Sequence, residues 1–142
     1  MIPLRDSTPG RHFPVVTVLL IICNLYVFYQ ETLLGPALNT AFNTYGFVPS
    51  RLGQHLVYLP ILTSMFMHGS WLHVIGNMWT LWLFGDNVED HMGKLRFLLF
   101  YVLCGIIAAL THYFINPASN VPVVGASGAV AGIMGAYFIM FR

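Results

Sequence analysis

Charge is what this sequence has least of. Asp, Glu, Lys and Arg together make up 8% of its 142 residues, against about 25% in an ordinary soluble domain. With 57% hydrophobic residues and a mean hydropathy of +0.72, the chain has too few charged groups to cover an apolar body. That excludes an ordinary water-soluble domain and implies an integral membrane protein. No sign of charge dominates either: six basic and five acidic residues leave a net +1, so nothing calls for nucleic acid as a partner. Cysteine is nearly absent. Cys23 and Cys104 each fall inside an apolar run, where they read as small buried hydrophobes and carry no message about redox compartment. Internal repeats and low-complexity tracts are lacking too. After the polar residues 1–12 an apolar run extends from Phe13 to about Tyr29 with no small-residue cleavage site behind it, so it reads as an uncleaved first span rather than a signal peptide.

What is present is length in apolar stretches. Candidate spans cover about 13–33, 71–85, 95–115 and 121–141, each near the roughly 20 apolar residues that a bilayer core requires, the second being short. The expectation is therefore an all-α, polytopic helical membrane protein of one domain, 1–142, with four helices and no strands. The long connection 34–70 carries Gly35, Pro36, Gly46, Pro49, Gly53 and Pro60 as breakers. Its Phe42, Tyr45, Phe47, Tyr58 and Leu59 make it apolar enough to lie in the membrane interface, where aromatic residues collect.

Lysine and arginine concentrate in cytoplasmic loops. A cytoplasmic N-terminus puts Arg5, Arg11, Lys94, Arg96 and Arg142 inside and leaves only Arg51 outside. In that orientation Ser127 lies about six residues into the fourth helix, on the order of 9 Å below the outer surface. His73 and Asn77 come to a similar depth on the second helix.

The stretch Val124-Gly125-Ala126-Ser127-Gly128-Ala129 places a hydroxyl between glycines at the mouth of an apolar run. Taken alone, Ser127 reads most simply as a packing residue, because Gly125, Gly128, Ala131, Gly132 and Gly135 strip bulk from one side of the helix and invite a neighbour to approach. His73 and Asn77, four residues apart, share one helix face. Each alone has a bland reading, as a hydrogen-bonded histidine or an interhelical bridge. Their coincidence in depth with Ser127 points instead to a shared polar pocket, since a serine nucleophile needs a base and donors for the oxyanion. A zinc site from His68, His73 and His112 is the rival chemistry. The five-residue spacing of the first two, the turn-like Met67-His68-Gly69-Ser70 and the lack of a nearby acidic second shell argue against it, so no metal is expected. His12, His55 and His91 read as loop or interfacial residues. Asp86, Glu89 and Asp90 fall after the second span on the cytoplasmic side, in a charged loop that Glu89 ties back to a helix end.

His68-Gly-Ser-Trp-Leu-His73-Val-Ile-Gly-Asn77, then Gly85-Asp-Asn-Val-Glu89-Asp90, then Gly125-Ala-Ser127-Gly128, in this order, resemble the rhomboid family of intramembrane serine proteases. Leu62-Thr63-Ser64-Met65-Phe66-Met67-His68 is similar to that family's approach to its second helix. The resemblance implies a rhomboid-like bundle of six transmembrane helices, four of them present here. It implies Ser127 as nucleophile, His73 and Asn77 as oxyanion residues, His68 as a supporting histidine and the first loop as a membrane-dipping element. The activity implied is hydrolysis of peptide bonds in membrane-anchored proteins, with membrane lipid and transmembrane substrates as partners and no cofactor. The location implied is multi-pass, in the cell's inner or plasma membrane. The G-x-S-G here is not the soluble hydrolases' G-x-S-x-G elbow, because residue 129 is Ala and no strand precedes it. Two departures stand out. The family's base is a histidine on a sixth helix, which residues 1–142 do not reach, so these residues alone are expected to be inactive and to belong to a longer protein. The Trp-Arg pair that some members carry in the first loop is replaced by Leu59-Pro60. The alternative is a non-proteolytic rhomboid-like protein that binds transmembrane clients.

Overall fold

The structure, a computed structural model, describes residues 12–52 and 58–141. Expectations resting on Arg5, Arg11, Gly53, His55 and Arg142 lie outside these residues. The described chain is helical: α1 (Val15–Leu33), α2 (Leu38–Tyr45), α3 (Leu59–Thr63), α4 (Trp71–Met92), α5 (Lys94–Ile115) and α6 (Ser127–Met140), with short 3-10 turns between α1 and α4.

Helices α1 and α4 run antiparallel and are tied at their ends. Pro14 starts α1, but neither a capping side chain nor an acidic residue of its own first turn serves its N-terminus. The partner arrives from α4: Glu89 accepts from the Val16 N–H (2.9 Å), the Thr17 N–H (2.8 Å) and the Thr17 hydroxyl (2.8 Å). A carboxylate there satisfies donors that a helix cannot pair internally and faces the positive end of the helix dipole. Glu89 thus joins its segment to a helix end as the sequence suggests, but the segment is no loop. Helix α4 continues to Met92, past the expected end at 85, and the helical backbone carries Glu89 to α1. Gly93, at φ +84°, then reverses the chain directly into α5, a conformation that favours glycine.

The last two helices meet through small residues. A side-chain carbon on Gly128 would collide with Ala108, and one on Gly132 with Cys104. In a membrane, where burying apolar surface gives no advantage over lipid, such close approach supplies the packing energy. Gly128 and Gly132 are therefore a helix contact, as the sequence predicts, whereas Ala131 is exposed and Gly135 has no neighbour where a side chain would point. The core of Tyr101, Phe97, Leu81, Ile133, Val74 and Val88 is buried, while Leu19, Ile22, Leu25, Leu99, Leu103 and Ile107 are exposed along α1 and α5. These two helices are long and apolar enough to cross a membrane.

Two expectations need correction. Residues 121–126 are not helical, so α6 begins at Ser127 instead of six residues earlier. They are held as a strap on the first loop, where Phe47 and Val123 exchange backbone hydrogen bonds (3.0 and 2.7 Å) and the Ser50 hydroxyl bonds Asn120 (2.7 Å). Asn116 and Pro117 break α5, and backbone groups beyond that break find partners in another loop. Second, Cys23 is exposed on the outer side of α1, whereas Cys104 is partly covered by α6. An apolar run does not by itself say which of its faces meets lipid.

Candidate active site

The site lies where α4 and α6 begin and α5 ends. Helix α4 is started by Ser70, whose hydroxyl oxygen accepts from the His73 N–H (3.2 Å), an N-cap that fixes the first turn. His73 and Asn77 follow on one face, and Asn77 is buried. Ahead of the helix the chain is extended at Met67, and this brings the buried His68 ring over the same face. His68 Nε2 lies 3.0 Å from the Asn77 amide nitrogen. An amide NH₂ only donates, so Nε2 accepts and the second amide hydrogen is left for another partner. The His68 and His73 rings meet edge to face, centroids 5.1 Å apart. Burial first, and then the charge of the neighbouring His73, holds His68 down at about 4, so its ring is neutral near pH 7 and able to accept from Asn77.

Gly125 brings the serine to this cluster. Its N–H donates to the Ser64 carbonyl (2.9 Å), its φ of +128° suits glycine alone, and a side-chain carbon on it would lie 2.5 Å from His73 Cε1 and 2.7 Å from Nε2. The His73 ring therefore occupies the space that the missing side chain leaves. Two residues on, Ser127 opens α6, whose first N–H groups have no helical partner. Ser127 and Gly128 line a cavity of about 200 Å³ with Ser64, Val124, Gly125 and His112. Ser127 is exposed and its hydroxyl makes no hydrogen bond to a described residue.

The structure thus brings His68, His73, Asn77 and Gly125 together; Ser127, two residues on, lines a cavity whose wall includes Gly125 and His112 from α5 but not His68, His73 or Asn77. His12 is away from them, paired with Asp90 (2.6 Å) at the opposite end. Sequence reasoning passed over Glu31, whose Oε2 accepts from the His68 N–H (3.1 Å). A carboxylate inside an apolar span was the signal available. Ser64 was legible within the approach to the second helix but had no role of its own, because it is its main-chain carbonyl that Gly125 uses. Chemically this end of the bundle offers a serine hydroxyl at a helix start, and, against the glycine two residues before it, a histidine ring that neighbours a His68–Asn77 pair.

Residues 55–142 match the Rhomboid domain family. Similar curated proteins include the putative rhomboid protease YdcA of Bacillus subtilis, 38% identical over 80 residues that make up 56% of this chain and 40% of the relative. The Rhomboid protease GluP of the same organism is 31% identical over 124 residues, 87% of this chain and 24% of the relative. RHOMBOID-like protein 5 of Arabidopsis thaliana is 30% identical over 107 residues, 75% and 34%. The chain accordingly spans well under half the length of these relatives.

Proposed function

This chain belongs to the rhomboid family, and from that premise we propose that it is part of an intramembrane serine protease acting on membrane-anchored proteins. In this reading the Ser127 hydroxyl attacks the scissile carbonyl. The negative charge that develops on the carbonyl oxygen is met by the free Asn77 N–H, a His73 ring N–H and the backbone N–H groups at the start of α6. The serine proton passes to a histidine of a sixth helix, and the relatives, matched over 24–40% of their length, have room for such a helix. The carrying observation is the packing of the His73 ring on Gly125. It sets the H-x-x-x-N motif against the G-x-S-G motif, far apart in sequence, two residues from Ser127.

The pocket opens at the end opposite Lys94 and Arg96, which sit beside the Glu89 end of α1. With basic residues inside, the cluster faces the outer side and the N-terminus the cytoplasm, in a multi-pass arrangement in the cell's inner or plasma membrane.

The test is cleavage of a reporter with a single transmembrane segment by the full-length protein in liposomes, with labelling by a fluorophosphonate alongside. Wild type should cut and label at Ser127, and Ser127→Ala should do neither. A full-length wild type that retains the reporter uncut and unlabelled would replace this reading with that of a client-binding rhomboid-like protein.

A further inference from the structure

We propose that Glu31 is a positioning residue for this site: from α1 it holds the backbone at His68 and, through the His68 ring, the side-chain amide of Asn77. The proposal rests on the protease reading only for its kinetic consequence.

Glu31 stands in the last turn of α1 and is 4% exposed, against a mostly apolar cavity of about 330 Å³ lined by Val27, Leu34, Tyr45, Phe66 and Met67. A carboxyl group in such a place costs stability unless it is well bonded. It is not well bonded: Oε2 takes the His68 N–H (3.1 Å), and Oε1 has no partner among the described residues. A leucine would cost the helix less. What Glu31 supplies is position. The His68 N–H belongs to the extended link ahead of α4, where no helix or sheet offers it an acceptor, and the bond from α1 sets the height and direction of that link. The ring that follows sets the amide: Asn77 donates one hydrogen to Nε2 (3.0 Å), which aims the other. The bonds run in one direction, from the α1 carboxyl through the His68 main chain and ring to the Asn77 amide. They pass from α1 to the link ahead of α4, 37 residues on, and from there into α4, and the end group is one of the proposed oxyanion donors.

The His68–Asn77 bond places the ring's other nitrogen, Nδ1, in a buried spot with no partner among the described residues. The ring is held at one nitrogen by the Asn77 bond and otherwise by its main chain, and the bond to Glu31 sets where that main chain lies.

The experiment compares Glu31→Leu, which removes the acceptor, with Glu31→Gln, which keeps an oxygen for the His68 N–H. Both are made in the full-length protein. NMR in micelles follows the His68 N–H, the His68 ring nitrogens and the Asn77 side-chain amide, while reporter cleavage gives kcat and KM. Deleting an oxyanion donor costs about 10²–10³ in rate. Misaiming one should cost less, so Glu31→Leu is expected to lower kcat about tenfold with KM unchanged and to move the Asn77 amide resonances. Glu31→Gln should recover most of the rate and return the Asn77 signals toward wild type, shifting the His68 N–H alone as its acceptor changes from a carboxyl to an amide oxygen. Asn77 signals that are the same in wild type and Glu31→Leu would overturn the proposal, as would a Glu31→Gln enzyme no better than Glu31→Leu. If Glu31→Leu does not fold, an unshifted His68 N–H in the folded Glu31→Gln protein overturns it equally. The resonances need no catalysis, so a protein that never cuts would defeat the protease reading and still decide the Glu31 bond.

Discussion

The two ends of the α1–α4 pair are fastened by the same device and finished differently. At one end a carboxylate of α4, Glu89, accepts three hydrogen bonds at the start of α1. At the other a carboxylate of α1, Glu31, accepts one bond just ahead of α4 and leaves an oxygen without a partner among the described residues. Both side chains are buried. The first end has the economy of a structural anchor, with every donor matched. The second holds a histidine, an asparagine and a glycine turn in particular directions and leaves polar atoms without partners. Polar groups left short of partners in the interior are costly, and sites that must bind or react are where such costs are tolerated.

The sharpest way to break this contrast is at Gly125. Gly125→Val puts a branched side chain on a backbone at φ +128° and against the His73 ring. Under the protease reading it should lower reporter cleavage by more than about 10², the scale of losing an oxyanion donor, while circular dichroism still shows a helical protein. Retained cleavage would mean that the site end tolerates displacement as freely as a loop.

Glu89→Leu tests the anchor. It leaves the Val16 and Thr17 donors unpaired, and at about 1–3 kcal/mol for each of the two buried Thr17 donors the loss should be at least about 2 kcal/mol. Thermal melting in detergent would read this as a large fall in Tm, with cleavage per folded molecule close to wild type. A fall in kcat without a fall in Tm would erase the distinction between the ends.

Between the ends, Gly132→Leu drives a side chain into Cys104 and should cost about 1–3 kcal/mol by overpacking. Ile133→Leu conserves volume at a buried position and should cost less than about 1.5 kcal/mol. Equal melting of the two would show that α5 and α6 do not meet there.

The smallest effect is with pH. His68 is held at about 4 in the folded protein, below its ordinary 6.5. The unfolded chain therefore binds the extra proton first, and stability is full above about pH 6.5 and is lost as the pH falls toward 4. Melting temperatures from pH 7 to 4, compared with those of His68→Gln, would show it. A slope that persists in the variant assigns the effect to another group.

Much of the helical order was legible in the sequence, because long apolar runs poor in charge have few other ways to satisfy their backbone in lipid. The bounds were less so. Helix α4 outruns its apolar stretch because Glu89, polar by composition, is used inside the bundle, and α6 starts late because residues 121–126 find hydrogen bonds on the first loop. The members of the candidate cluster were legible as residue types at suggestive spacings, with Ser127, His73, Asn77 and His68 all marked by their motifs. Glu31 was visible only as a charge in an apolar run.

By itself the sequence determined that this chain lives in a membrane, that it is helical, and that small residues line one side of its last helix, since these follow from composition and from periods of a few residues. Only the tertiary structure decided that the His73 ring fills the space beside Gly125, that Ser127 is the first residue of its helix, and that Glu31 reaches the His68 main chain. Each of these depends on how one helix end meets another segment. Hydrogen bonds and close contacts between residues tens of positions apart are set by that meeting, and no local pattern records it.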